Sequence, residues 1–349
     1  MSRNKDDRKR RRREEKRRQT KHRQESLQRE RVKEKRDEPD LRLVKEPPGG
    51  SEASPPMPSR VSMERTMREL HQALESQEFT SEDDLYAFMA EFNKRGGSPL
   101  PSAGCVPTPS EKAQELAYEA MESDDVDTAV QLAMRAVELD HRCVDALVIL
   151  AHAGADSPEE LIENLQKTLW LGEQALGEEF FEEERGHFWG ILETRPYMRA
   201  YQELADVLRD VGRIDEAIEH YEAMLDLNPN DNQGIRDLLL ACYLTQGDLT
   251  GARRLFDHYK EDESATFQWS RVLERHLAGD ENKAVTLLAE ARKNNAFVEP
   301  YLTGKKRMPS ALPDFYSPGD ESEAKYVALN LRPAWKGHRA SVKWLTERV

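Results

Sequence analysis

The stretch from Tyr201 to Pro229 limits the fold more than any other part of the chain. It places Tyr201, Leu204, Ala205, Leu208, Gly212, Ala217, Tyr221, Leu225 and Pro229 in fixed order. Leu204 and Leu208 are four residues apart and so share one helical face. Ala205 beside them is small enough to let a second helix come close. Gly212 predicts the end of the first helix. Ala217 and Tyr221 then form the matching stripe of the next helix, and Pro229 predicts its stop. The pattern is a helix–turn–helix unit with a period of about 34 residues. One such unit cannot bury its apolar face alone, so neighbours must stack on it.

Those neighbours are legible. One unit runs through Leu239, Leu240, Tyr243, Gly247, Ala252, Leu255 and Phe256. The next runs through Trp269, Val272, Leu273, Gly279, Ala284, Leu288 and Ala291. The small residue of the second helix recurs at Ala217, Ala252 and Ala284, in steps of 35 and 32 residues. Upstream, Ser110 to Cys143 carries Leu116, Ala117, Ala120, Ala129, Ala133, Ala136 and Leu139. Val144 to Leu176 makes a longer pair, whose second helix starts at Ser157-Pro158-Glu159-Glu160. Residues 177–195 interrupt the period. Residues 110–295 therefore predict an all-α solenoid of helical hairpins.

The flanks read differently. Residues 1–38 hold no apolar side chains beyond Met1, Leu27 and Val32, so they predict a disordered basic arm. Residues 39–60 contain six prolines and predict a flexible linker. Residues 61–95 predict a small helical hairpin. Met63, Met67, Leu70 and Leu74 mark its first helix, and Leu85, Phe88, Met89 and Phe92 mark the second, with Ser81 as cap. Residues 96–109 form another linker. Residues 296–349 form a C-terminal extension. Pro300, Pro309, Pro313 and Pro318 exclude a continuous helix at its start. Asp320 and Glu323 resemble a capping box before Ala324, Val327, Ala328 and Leu331, a short helix that Pro333 is expected to end. A last helix around Val342, Trp344 and Leu345 is expected to cap the stack.

Charge and composition narrow the function classes. The chain of 349 residues has a net charge of -14, unevenly spread. Residues 1–38 carry 18 Lys and Arg against 9 Asp and Glu, and the rest carries 34 against 57. A basic arm thus joins an acidic body. The body is a poor general nucleic-acid binder, while the arm suits phosphates or acidic proteins. No apolar run reaches the length of a membrane span, and the N-terminus begins with charge instead of a signal core. Cys105, Cys143 and Cys242 show no metal-ligand spacing and read as reduced thiols in a cytoplasmic setting.

Two strings go beyond a generic repeat: EFFEEERGHFWGILETRPYMR from Glu179 to Arg199, and VEPYLTGKKRMPSALPDFYSPGDESEAKY from Val298 to Tyr326. The hairpin pattern resembles the tetratricopeptide repeat. With the two strings, residues 110–349 look like the suppression of tumorigenicity 7 family of tetratricopeptide proteins, especially its soluble bacterial-type relatives. The resemblance implies a helical interaction protein without established chemistry. No cofactor is expected. The animal relatives carry membrane-spanning segments near the N-terminus, which this chain lacks.

His187 follows Glu182-Glu183-Glu184, but the spacing does not match a zincin helix, so no metal or catalytic residue is assigned. Gly304-Lys305 lacks the upstream glycine and the strand of a phosphate loop, so Lys305, Lys306 and Arg307 read as a solvated turn. Phe180, Phe181, Phe188 and Trp189 either fill the gap left by the insertion or join a binding cluster with Arg195, Tyr197, Arg199 and Tyr201. The first helices are expected to line a partner-binding groove that offers Arg195, Arg199, Gln202, Asp206, Arg209, Arg236 and Asp237. This mixed-charge set differs from a Lys/Asn carboxylate clamp and suits a peptide or protein segment of both charge signs. Arg10, Arg11, Arg12 and Arg13 are expected to make weak polyanion contacts, to fold back on the acidic body, or only to solubilise. Without aromatic residues for base stacking, the arm predicts no sequence-specific nucleic-acid recognition.

Overall fold

Most of the repeat helices begin at a side chain that accepts a free backbone N–H. Thr108 and Glu111 cap each other's N–H groups in a reciprocal box at 3.2 and 2.6 Å. Asp125, Ser157, Asp248, Ser264 and Asp280 each accept a backbone N–H at the start of a later helix. Gly212, Gly247 and Gly279 take the left-handed backbone that ends a first helix (φ 85°, 74° and 77°). These local rules recur through the computed structural model, which describes residues 59–75, 79–95, 107–313 and 315–348. The arm and the two linkers, with Cys105 and Arg10 to Arg13, lie outside the described residues except at the linker ends.

Among the described residues all regular structure is helical. α1 (Arg60–Glu75) and α2 (Glu82–Lys94) come first. Five hairpins follow: α3 (Pro109–Met121) with α4 (Val126–Leu139), α5 (Val144–Gly154) with α6 (Pro158–Leu176), α8 (Arg195–Asp210) with α9 (Ile214–Leu227), α10 (Ile235–Gln246) with α11 (Leu249–His258), and α12 (Ala265–Leu277) with α13 (Glu281–Asn294). The insertion holds α7 (Glu178–Glu184) and two single 3-10 turns. α14 (Val298–Leu302), α15 (Glu321–Gly337) and α16 (Arg339–Thr346) complete the chain. Each second helix packs on the first helix of the next hairpin, so the stack is continuous.

The core follows that stacking. Ala113, Ala117, Ala133, Ala136 and Ala146 are all fully buried in the first two hairpins, where small side chains bring helices close. From Val144 onward one apolar cluster runs to Leu345, anchored by Trp269, Tyr221, Tyr301 and Trp335. The insertion is filled by aromatic rings: Phe188 meets Phe180, Phe181 and Tyr197 at 5.8, 4.9 and 6.3 Å between centroids. The series continues from Tyr197 to Tyr201 and on to His220.

Pro333 corrects one expectation. It does not end its helix; α15 runs through it to Gly337. Proline removes one N–H from the ladder, but Ala334 and Trp335 just beyond it are fully buried. Their packing outweighs the missing bond. α15 lies against the first helices α10 and α12, and α1 meets α3. His338, at the end of α15, reaches the Leu244 carbonyl of α10 at 2.9 Å.

Candidate functional site

α1 lies against the first helix α3, and α15 lies against the first helices α10 and α12. On α8, Arg199 is gripped from two sides. Its Nε and Nη2 donate to Asp145 of α5 at 2.9 and 2.6 Å, and its Nη1 donates to both oxygens of Glu64 of α1 at 3.0 and 2.9 Å. Gln114 of α3 holds Asp145 at 2.7 Å, and the Tyr118 hydroxyl donates to Glu64 at 2.9 Å. The paired carboxylates push the Arg199 pKa up despite its burial. Arg195 donates to the Trp189 carbonyl at 3.0 Å, lies 5.3 Å over the Trp189 ring, and reaches Glu64 at 3.5 Å. Both arginines therefore carry a side chain of the same molecule, Glu64, upon them.

Gln202, Asp206 and Arg209, further along α8, line an open cleft of about 630 Å³. Leu238, Ala241, Cys242 and Thr245 of α10 form its floor, and Leu329, Asn330 and Pro333 of α15 form its far side. Asp206 accepts from the Tyr221 hydroxyl and pairs with Arg209 at 3.0 Å. Burial raises the Asp206 pKa, which Arg209 and Tyr221 partly offset. Gln233 donates to Gln202 at 3.0 Å and to the Met198 carbonyl at 3.2 Å. The cleft thus has an apolar floor and fixed charges of both signs at its edge.

Arg236 and Asp237 are not part of that cleft. They sit in the first turn of α10, whose start is set by Gly234 in the left-handed region and by Asp231 accepting from the N–H of Ile235 and Arg236. This register turns Arg236 toward Asp262 at 2.8 Å and over the Tyr259 ring at 5.1 Å. Asp237 meets α12 instead, where burial raises its pKa to about 7. The sequence reading missed α15 as a wall of the cleft, and it missed Glu64 as the partner of Arg199. The only available signal for Glu64 was an acid between Met63 and Met67 on an amphipathic helix.

The remaining candidates have plain surroundings. His187 is exposed before a 3-10 turn. No group of three or more metal-binding side chains exists among the described residues. Lys306 pairs with Glu321 and lies 5.4 Å over Tyr301, in an exposed turn. Cys143 and Cys242 are buried free thiols whose pKa burial pushes up to about 12, which leaves them protonated and inert. Among the described residues no helix is long and apolar enough to cross a membrane.

A family model described as Tetratricopeptide repeat matches residues 208–275. The match runs from the end of α8 into α12 and so includes the floor of the cleft. It supports a tetratricopeptide-repeat protein, in agreement with the hairpin stack. A comparison with curated proteins returns no match.

Proposed function

We infer that this chain is a non-enzymatic protein–protein interaction scaffold that docks a partner peptide or protein on the wall built by its first helices. The cleft between α8, α10 and α15 is the observation on which this rests. Tetratricopeptide repeats generally bind protein partners, and the matched residues supply the cleft's floor. The resemblance to the suppression of tumorigenicity 7 family supports the same reading: its two strings form the insertion before α8 and the segment leading into α15. The reading assigns no catalytic step and no cofactor, and it places the chain in the cytoplasm. Gln202, Asp206 and Arg209 are the contact residues of this proposal, with Leu238 and Leu329 as apolar anchors.

Affinity capture with the full chain as bait tests the cleft. Leu329 is 53% exposed on α15, so Leu329→Glu with Asn330→Arg changes the cleft without touching the core. The expected result is loss of the specific partners, about ten-fold or more, with unchanged helicity and Tm. Recovery of the same partners by the variant would remove the cleft from the proposal.

A second reading is carried by the charge contrast between residues 1–38 and the rest. In it, the arm supplies salt-sensitive affinity for a nucleic acid or a ribosome while the repeats recruit a protein.

A further inference from the structure

Helix α1 is held on the repeats by charge more than by apolar contact. Among its described side chains only Glu64 and Ala73 are buried. Met63 and Met67 are 44% and 48% exposed, and neither apolar core cluster includes a residue of α1. What holds the helix is polar: Glu64 on Arg195, Arg199 and Tyr118, Arg65 on Glu115 and Glu122, and Gln72 on Glu111 at 2.9 Å.

The receiving side is built without α1. Asp145 fixes the guanidinium of Arg199 by two hydrogen bonds, and Gln114 fixes Asp145. The Trp189 carbonyl and ring fix Arg195. Without Glu64, Arg199 would keep Asp145 alone, Arg195 would lose its carboxylate, and the Tyr118 hydroxyl would lose its acceptor. A preorganised, part-buried site with excess positive charge selects a carboxylate. Beside it, the acidic row of Glu111 and Glu115 on α3 and Glu122 at its C-cap selects a cation or an amide donor on the same ligand.

We propose that Tyr118, Arg195 and Arg199 form a docking site for a partner helix that presents a glutamate followed by a basic residue, with α1 as the chain's own occupant. The ligand is a helix because α1 meets the site in that form, with Glu64 on the arginines and Arg65 on the acidic row. The site is separate from the cleft, whose lining includes no residue of α1, and the proposal does not depend on the cleft being used.

The test employs the full chain carrying Glu64→Arg and Arg65→Glu. These reversals set like charges against the site and the acidic row and so drive α1 off, while every receiving residue is kept. A labelled peptide of residues 60–75 is titrated against this variant and against the unmodified chain. The natural peptide is expected to bind the variant about ten-fold or more tightly than the unmodified chain, and a Glu64→Gln peptide is expected to lose that gain. Leu329→Glu added to the variant should leave peptide binding unchanged, which keeps this result separate from the cleft. Equal binding of both peptides, or binding of neither, would overturn the proposal. So would loss of the folded state in the reversed chain, by circular dichroism, because α1 would then be a fixed part of the structure.

Discussion

Asp237 faces α12 with its Oδ1 buried and without a hydrogen-bond partner. Burial is the largest influence on its titration, Arg236 opposes it, and Asp262 and Asp231 add to it; the folded pKa stands near 7. An unfolded aspartate titrates near about 4. Between these two values the folded chain holds a proton that the unfolded chain has lost, so stability falls as pH rises through this window and levels off above it. The wild-type chain is therefore expected to melt several degrees lower at pH 8 than at pH 5. Asp237→Asn should flatten that slope, because an amide does not ionise. Thermal melts of both chains at the two pH values check this, and an unchanged slope in the variant would refute it.

At the scale of elements, the closeness of α10 and α11 depends on Gly251. A glycine inside a helix normally costs about 0.5–1 kcal/mol relative to alanine. Here an added Cβ would stand 2.6 and 2.7 Å from the Tyr243 ring and 2.5 Å from Asp248 Oδ2. Tyr243 is pinned by its hydrogen bond to Glu222, and Asp248 is the N-cap of α11. Neither can yield freely, so Gly251→Ala is expected to destabilise the fold by about 1–3 kcal/mol. Chemical denaturation measures the loss, and a gain in stability would show that the two helices separate easily. α15 makes the complementary case. Its Pro333 predicts a helix end by local rules, yet the buried Trp335 carries the helix one turn further.

For the whole molecule, the contrast between basic arm and acidic body gives a prediction about salt. If residues 1–38 supply polyanion affinity, binding of single-stranded RNA should fall steeply with ionic strength. Deletion of residues 1–38 should abolish it, since the remainder carries 34 Lys and Arg against 57 Asp and Glu. Fluorescence anisotropy on both chains decides the matter, and binding that survives about 0.5 M salt would contradict an electrostatic arm.

The hairpins were legible because helical periodicity is local: Leu204, Leu208, Ala217 and Tyr221 show which faces must be buried whatever covers them. Ser81, Ser157 and Asp320 marked helix starts for the same reason, since a cap acts within three residues. The occupants of those faces were not legible. Glu64 meets Arg199 across 135 positions, and α15 folds back on α10 across about as great a gap as His338 to Leu244, 94 positions. A sequence pattern gives the polarity of a face but no register between distant helices. The chain alone thus determined that helices form and stack; only their three-dimensional packing decided that Arg199 is paired, that Arg236 and Asp237 lie outside the cleft between α8, α10 and α15, and that this cleft stays open.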